Sequence, residues 1–303
     1  MHNEGRNPSP DTGLHTDARS NAVHRYVEQV LLPGNVEPNI WDPEDVVDHR
    51  RALVTDARKR RRITPTKVVT SYVFHSGGKQ IGGIDGFYTT LGSAQARQAV
   101  ASPEVHRGYL QAAGIKELAD DDSAARAGDK LLVRFYVVAE QVVAAVVKLP
   151  FFVVGDGKQA LVQLAEAEAE RRSKCGYLRS VTPEVDETRV TADALTESTV
   201  LPHGQAQLLS GEISIKGGAV AADVLGLLDV DVRNLAVDAM WAFPGLAAAG
   251  VDILLPDIRS RENAQVLGVV PDADTTEFRY PAYGQYRRCS LAILDHMLDL
   301  AKR

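Results

Sequence analysis

The sequence predicts an α+β fold, an α/β-type mixed sheet with flanking helices. Three observations carry this. The stretches "KLLVRFYVVAE" and "QVVAAVVKLPFFVV" are rich in β-branched and aromatic residues and meet at a short break at 139–141, as the two strands of a hairpin do. The next stretch, "VVGDGKQALVQLAEAEAERR", passes from an apolar run through Gly155-Asp156-Gly157-Lys158 into an Ala- and Glu-rich helix over 159–172, with Arg171 and Arg172 near its end. Strands and helices then alternate down to an amphipathic closing helix in "YGQYRRCSLAILDHMLDLAK".

The elements follow in order. Residues 21–32 carry apolar positions at helical spacing and stop at Pro33-Gly34. "PEDVVDHRRALVTDARKRR" reads as a helix opening at Pro43 with acidic residues behind it. "KVVTSYVF" reads as one strand leading into the glycine-rich turn "HSGGKQIGGIDG". "SAQARQAVASPEVHRGYLQAAGI" gives two short helices broken at Pro103. The acidic 116–130 stretch is a loop or linker. "TADALTESTVLP" suggests another short helix, and "AQLLSGEISIKGGAVAADV" a strand followed by Gly217-Gly218. "VRNLAVDAMWAFPGLAAAG" is a helix, "VDILLPDI" a strand opening on Asp252, and "AQVLGVVPD" a further strand.

With 303 residues, 45% of them hydrophobic, the chain can bury a sizeable core as one large or two ordinary domains. A net charge of −6 argues against a general nucleic-acid or anionic-membrane binder. The basic run at 58–62 reads as a solvated helix end. Cys175 and Cys289 have no Cys or His at metal-site spacing and read as reduced thiols of a cytoplasmic protein. No run of about 18 apolar residues suggests a membrane span. The polar first 20 residues are expected to be disordered.

Several residues could do chemistry. The 155–158 turn permits close backbone approach, with Asp156 as a helix N-cap or metal ligand and Lys158 as an anion contact. It is neither a Walker loop nor a dinucleotide fingerprint. Gly217-Gly218, preceded by Lys216 and Ser214, is either a plain β-turn or a backbone cradle for an anion. Arg134 lies inside a strand; it either points to solvent or faces a cleft and clamps a carboxylate or phosphate, and Lys148 in the neighbouring strand can share its face. Asp252 is either a surface strand end or a metal ligand. "HSGGK" at 75–79 reads as a hairpin turn before an anion loop. His75, His203 and His296 lack triad or metal spacing, and no G-x-S-x-G occurs.

Taken in order, these pieces resemble ATP-grasp ligases. "LLVRFYVVAEQVVAAVVKLPFFVVGDGKQALVQL" resembles that family's strand with an Arg, its hairpin, its basic residue before Pro and its turn into a helix. "ISIKGGAVAADV" is similar to the later glycine-pair segment, "GLAAAGVDILLPDI" to the metal-bearing strand, and "VLGVVPDADTTEFRYPAYGQYRRCSLAILDHML" to the closing segment. Cyanophycin synthetase and glutamate–cysteine ligase, with related amino-acid ligases, are the branch it resembles. The likeness covers about residues 130–300, with 77–115 similar to the stretch preceding the nucleotide-binding subdomain.

The resemblance implies a truncated ATP-grasp-like fold, with a pre-ATP-grasp region at 21–128 and an ATP-grasp-like domain at 129–303. It implies ATP and Mg²⁺ as cofactors and a ligation of carboxylate to amine through an acyl phosphate. Arg134, Lys148, Gly155, Asp156, Gly157, Lys216, Gly217 and Gly218 would contact substrate or phosphate, and Asp252 would hold the metal. Two departures stand out. Where the family has a nucleotide-holding subdomain, this chain has the short 116–130 stretch. The family's remaining metal ligands fall on Gly268 and Val270, which cannot bind Mg²⁺, while Asp272, Asp274 and Glu277 lie nearby. The expected function is a pseudoenzyme acting as a binding or partner subunit, with an active carboxylate–amine ligase as the alternative. A small carboxylate or amino acid, and a second copy or another protein, are the expected partners; nucleic acid and membrane are not.

Overall fold

The computed structural model describes residues 22–34, 38–42, 44–116, 130–174, 178 and 181–302. Cys175 and the first 20 residues, expected to be disordered, lie outside the described residues.

The centre is a five-stranded antiparallel sheet. It is built from β5 (Leu131–Val138), β6 (Gln141–Leu149), β9 (Val220–Asp223), β10 (Ala248–Leu255) and β11 (Gln265–Val270), in the order β11-β10-β5-β6-β9. The β5–β6 hairpin turns at Ala139, where the sequence breaks. On one face Val133, Phe135 and Val137 pack against α1 (Ala22–Tyr26), α3 (Ala94–Ala101), α4 (Pro103–Ala112) and α7 (Val230–Trp241). On the other, Tyr136, Val138, Ala144 and Val146 meet α2 (His49–Arg61), α8 (Thr276–Arg279) and α9 (Cys289–Lys302). The first of these cores draws on both sides of 117–129.

A four-stranded antiparallel sheet lies beside the second core: β1 (Thr64–Val68), β2 (Ser71–Ser76), β3 (Lys79–Asp85) and β4 (Tyr88–Thr89). Helix α9 approaches β3 so closely at Gly82 that a Cβ there would sit 2.8 Å from the Met297 sulfur. A third, smaller layer pairs β7 (Phe152–Val154) with β8 (Ala206–Leu208). It packs under α5 (Leu161–Ser173) and α6 (Glu187–Ala192).

The structure departs from the sequence reading in four places. Pro43, the expected helix opening, lies outside the described residues; residues 44–48 are not helical and α2 begins at His49, where the Asp48 carboxylate accepts from the Arg51 amide at 2.7 Å. "KVVTSYVF" is the corner of a hairpin, not one strand: Val69, at φ 55, turns the chain between β1 and β2. The short helix near 190 is α6, capped by Asp186 upstream of the expected segment. Strand β10 begins at Ala248, so Asp252 lies inside a central strand rather than at its start.

Candidate functional site

Asp252 and Arg134 face each other across β10 and β5. The guanidinium forks onto the carboxylate, Nε to Oδ1 at 2.7 Å and Nη2 to Oδ2 at 2.6 Å. Lys148 lies on β6 two residues along from Val146, the register partner of Arg134, and is buried. Helix α8 follows β11 by a short turn and drops the buried Glu277 between the two cations. Its Oε1 accepts from Arg134 Nη1 at 3.3 Å, and its Oε2 pairs with Lys148 Nζ. Two cations and two carboxylates thus form one chain of ion pairs on one sheet face.

The electrostatics follow from this packing. Burial works against the Arg134 charge, but the Asp252 hydrogen bond and charge, then Asp274, outweigh it and hold the pKa above the usual guanidinium value. Burial, then the nearby Arg134, pull the Lys148 ammonium down to about 7, against the pull of Asp252 and Asp274. His49 sits on the same side of the sheet, its ring 6.5 Å from Tyr136, and shares its Nδ1 with Thr275 Oγ1 at 2.8 Å. Its Nε2 is buried without a hydrogen-bond partner. Burial lowers its pKa to about 4.

The glycine turns are built differently. In the first, the Asp156 carboxylate accepts from the Lys158 and Gln159 amides, both at 2.8 Å. It closes a tight turn, and the N-cap position of α5 is Ala160. The Gly155 amide donates to Gln205 and the Gly157 amide to Leu201. A Cβ on Gly155 would lie 2.2 Å from the Pro202 carbonyl oxygen. In the second, the Gly217 amide donates to the Ser214 carbonyl and hydroxyl, and the Gly218 amide to Ile215. Lys216 belongs to this 3₁₀ turn, Ile215–Gly217. The amides of Gly155, Gly157, Lys158, Gln159, Gly217 and Gly218 are therefore engaged within the chain.

Arg172 was missed by sequence reasoning, which saw only a basic helix end. Its side chain is buried, bonded to Glu168 at 2.7 Å, to the Gly218 carbonyl at 2.5 Å and to the Pro150 carbonyl at 3.2 Å. It stacks on Phe151 and Phe152. One guanidinium thus ties α5 to the end of β6 and to the Gly217-Gly218 turn. Glu277 was seen only as a carboxylate near the expected metal positions.

Arg134, Lys148 and Asp252 are thus brought together, and the 155–158 turn is seated on residues 201–205. Gly268 lies directly opposite Asp252, and Val270 opposite Gly250. Among the described residues, no group of three or more His, Cys, Asp or Glu is placed to hold a metal ion. No described helix is long and apolar enough to cross a membrane.

No family model matches the chain. It is 24% identical over 172 residues to the glutathione biosynthesis bifunctional protein GshAB of Mannheimia succiniciproducens, which covers 53% of this chain and 22% of that protein. The same-named protein of Enterococcus faecalis is 22% identical over 171 residues, with the same two coverages. The chain thus spans about a fifth of the curated relatives it matches. Among solved structures, the bifunctional glutathione synthetase from Pasteurella multocida superposes with a TM-score of 0.67 at 15% identity, over 82% of this chain and 44% of that one. At that identity the likeness is one of fold.

Proposed function

We propose that this chain, which has an ATP-grasp-like fold, no longer carries out the ATP- and Mg²⁺-dependent ligation of its relatives' fold and works as a binding or partner subunit. One observation carries the reading: Asp252, which the resemblance assigns to the metal, and Arg134 and Lys148, which it assigns to substrate or phosphate, are spent on ion pairs within the chain. Both Asp252 oxygens are taken by Arg134, and Lys148 is taken by Glu277.

The donor set does not fit Mg²⁺. That ion needs near-octahedral oxygen coordination. Opposite Asp252 stands Gly268, and Val270 stands opposite Gly250; neither offers a side-chain oxygen. A cation approaching Asp252 would also have to displace a bidentate guanidinium that neutralises the carboxylate. A small carboxylate or amino acid reaching Arg134 would have to displace Asp252 in the same way. Only residues 117–129 connect α4's end region to β5, too few for a nucleotide-holding subdomain.

The test is thermal unfolding with and without millimolar Mg²⁺-ATP, with ADP release measured across an amino-acid panel. The expected result is an unchanged Tm and no ADP. A ligand present at about 100 times its Kd would stabilise by about 2.7 kcal/mol, a shift of several degrees. Such a shift, or ADP released with any amino acid, restores the ligase reading. Sedimentation at micromolar concentration tests self-association: a strictly monomeric profile removes a second copy as the partner.

A further inference from the structure

The geometry points to a second binding site, a cleft between α5, α6 and residues 195–197 that takes an organic cation with a short apolar tail, a primary aliphatic amine. It is built from residues outside the ion cluster and does not depend on the loss of ATP chemistry.

The cleft encloses about 430 Å³, within the range of about 300–1,000 Å³ common for small-molecule sites. Its floor belongs to the small third core. Leu161 and Leu209 are buried there, and Ala165, Val190 and Leu195 stand around them. Its rim carries two exposed valines, Val162 at 39% and Val185 at 44%. Aliphatic walls around such a space lack the dispersion partners that a close-packed interior supplies, and an alkyl guest restores them.

The charge at the mouth selects the guest. Glu187 and Glu197 line the cleft, and among the described residues its lining holds no Lys, Arg or His. The neighbouring Asp186 is committed to capping α6 through the Thr188 and Arg189 amides. The Glu187 and Glu197 side chains, both exposed, have no such commitment among the described residues. An ammonium head at this acidic lining meets opposite charge while its tail lies on the leucine floor. An alkyl carboxylate of equal length meets the same floor with the wrong sign.

Hexylammonium and hexanoate, titrated separately into the full chain, test this, with methyl NMR reporting Val162, Val190, Leu195 and Leu209. Hexylammonium is expected to shift these resonances saturably at millimolar concentration, and hexanoate to bind at least about fivefold more weakly, as exposed charge contacts allow. The double substitution Glu187→Gln/Glu197→Gln changes exposed positions only, and its fold is checked by thermal melting. It should weaken hexylammonium by roughly the same factor and abolish the preference. Absence of saturable shifts in the unaltered protein, equal binding of the two probes, or undiminished hexylammonium binding in the double variant overturns the assignment.

Discussion

Arg134 and Asp252 occupy directly opposed positions on neighbouring central strands, and the guanidinium bonds both carboxylate oxygens at 2.7 and 2.6 Å. Their side chains are only 25% and 15% exposed, so neither charge is well hydrated without the other. Removing Asp252 leaves the largely buried Arg134 charge with only the longer Glu277 contact, and removing Arg134 strands Asp252, whereas removing both does neither. Asp252→Ala should therefore cost about 2–4 kcal/mol in urea unfolding, while Arg134→Leu/Asp252→Leu costs much less than the sum of its single substitutions. If the singles are each within about 0.5 kcal/mol of the unaltered protein, the pair is not a structural neutralisation.

The His49 ring gives the chain an acid sensitivity of known sign. Its pKa falls from 6.5 to about 4 because the site is buried. Between these values the unfolded chain binds the proton and the folded chain does not, so stability rises with pH across the window. The contribution is complete above about pH 6.5 and lost progressively down to about pH 4, amounting to about 3 kcal/mol. Ordinary carboxylates titrate at the lower end of this range, so the comparison is with His49→Asn, measured by denaturant unfolding from pH 4 to 7. The variant should lose the slope between pH 5 and 6.5; an unchanged slope assigns it to other groups.

How much of this was legible in the sequence follows physical lines. The β5–β6 hairpin and the α3–α4 break at Pro103 were readable, because alternation, β-branched runs and a helix-initiating Pro are local signals. The Val69 turn was not, because a β-branched residue at positive φ is held there by sheet pairing rather than by its own preference. The convergence of Arg134, Lys148 and Asp252 was anticipated from a resemblance. That their charges cancel was not, because register and the entry of Glu277 from α8 are tertiary facts. Arg172 shows the same limit: helix-end arginines usually face water, and nothing local says that this one reaches two carbonyls.

Arg172 offers a third test. It is almost completely buried, and it satisfies the carbonyls of Pro150 and Gly218. Replacing it with Leu leaves both oxygens and Glu168 without this donor, at roughly 1–3 kcal/mol for each group left buried and unsatisfied. Arg172→Leu should unfold at markedly lower urea concentration and loosen α5, seen as faster amide exchange over 161–173. Arg171→Leu, whose side chain is partly exposed, should do less. Equal effects of the two substitutions would deny Arg172 its bridging role.

Gly155 separates two meanings of the 155–158 turn. Adding a Cβ there places a carbon 2.2 Å from the Pro202 carbonyl and 2.7 Å from that of Leu201, both backbone atoms that cannot swing aside. Gly155→Ala must therefore shift the 201–202 segment, a steric cost of about 1–3 kcal/mol. At Gly157 the nearest atoms would be 3.7 Å away, but φ is 75°, and Ala in the left-handed region costs about 1 kcal/mol. A turn kept for packing predicts Gly155→Ala as the more destabilising change in urea unfolding, with no dependence of either loss on added phosphate. If millimolar phosphate stabilises the unaltered protein and that gain vanishes in Gly155→Ala, the turn is an anion loop instead.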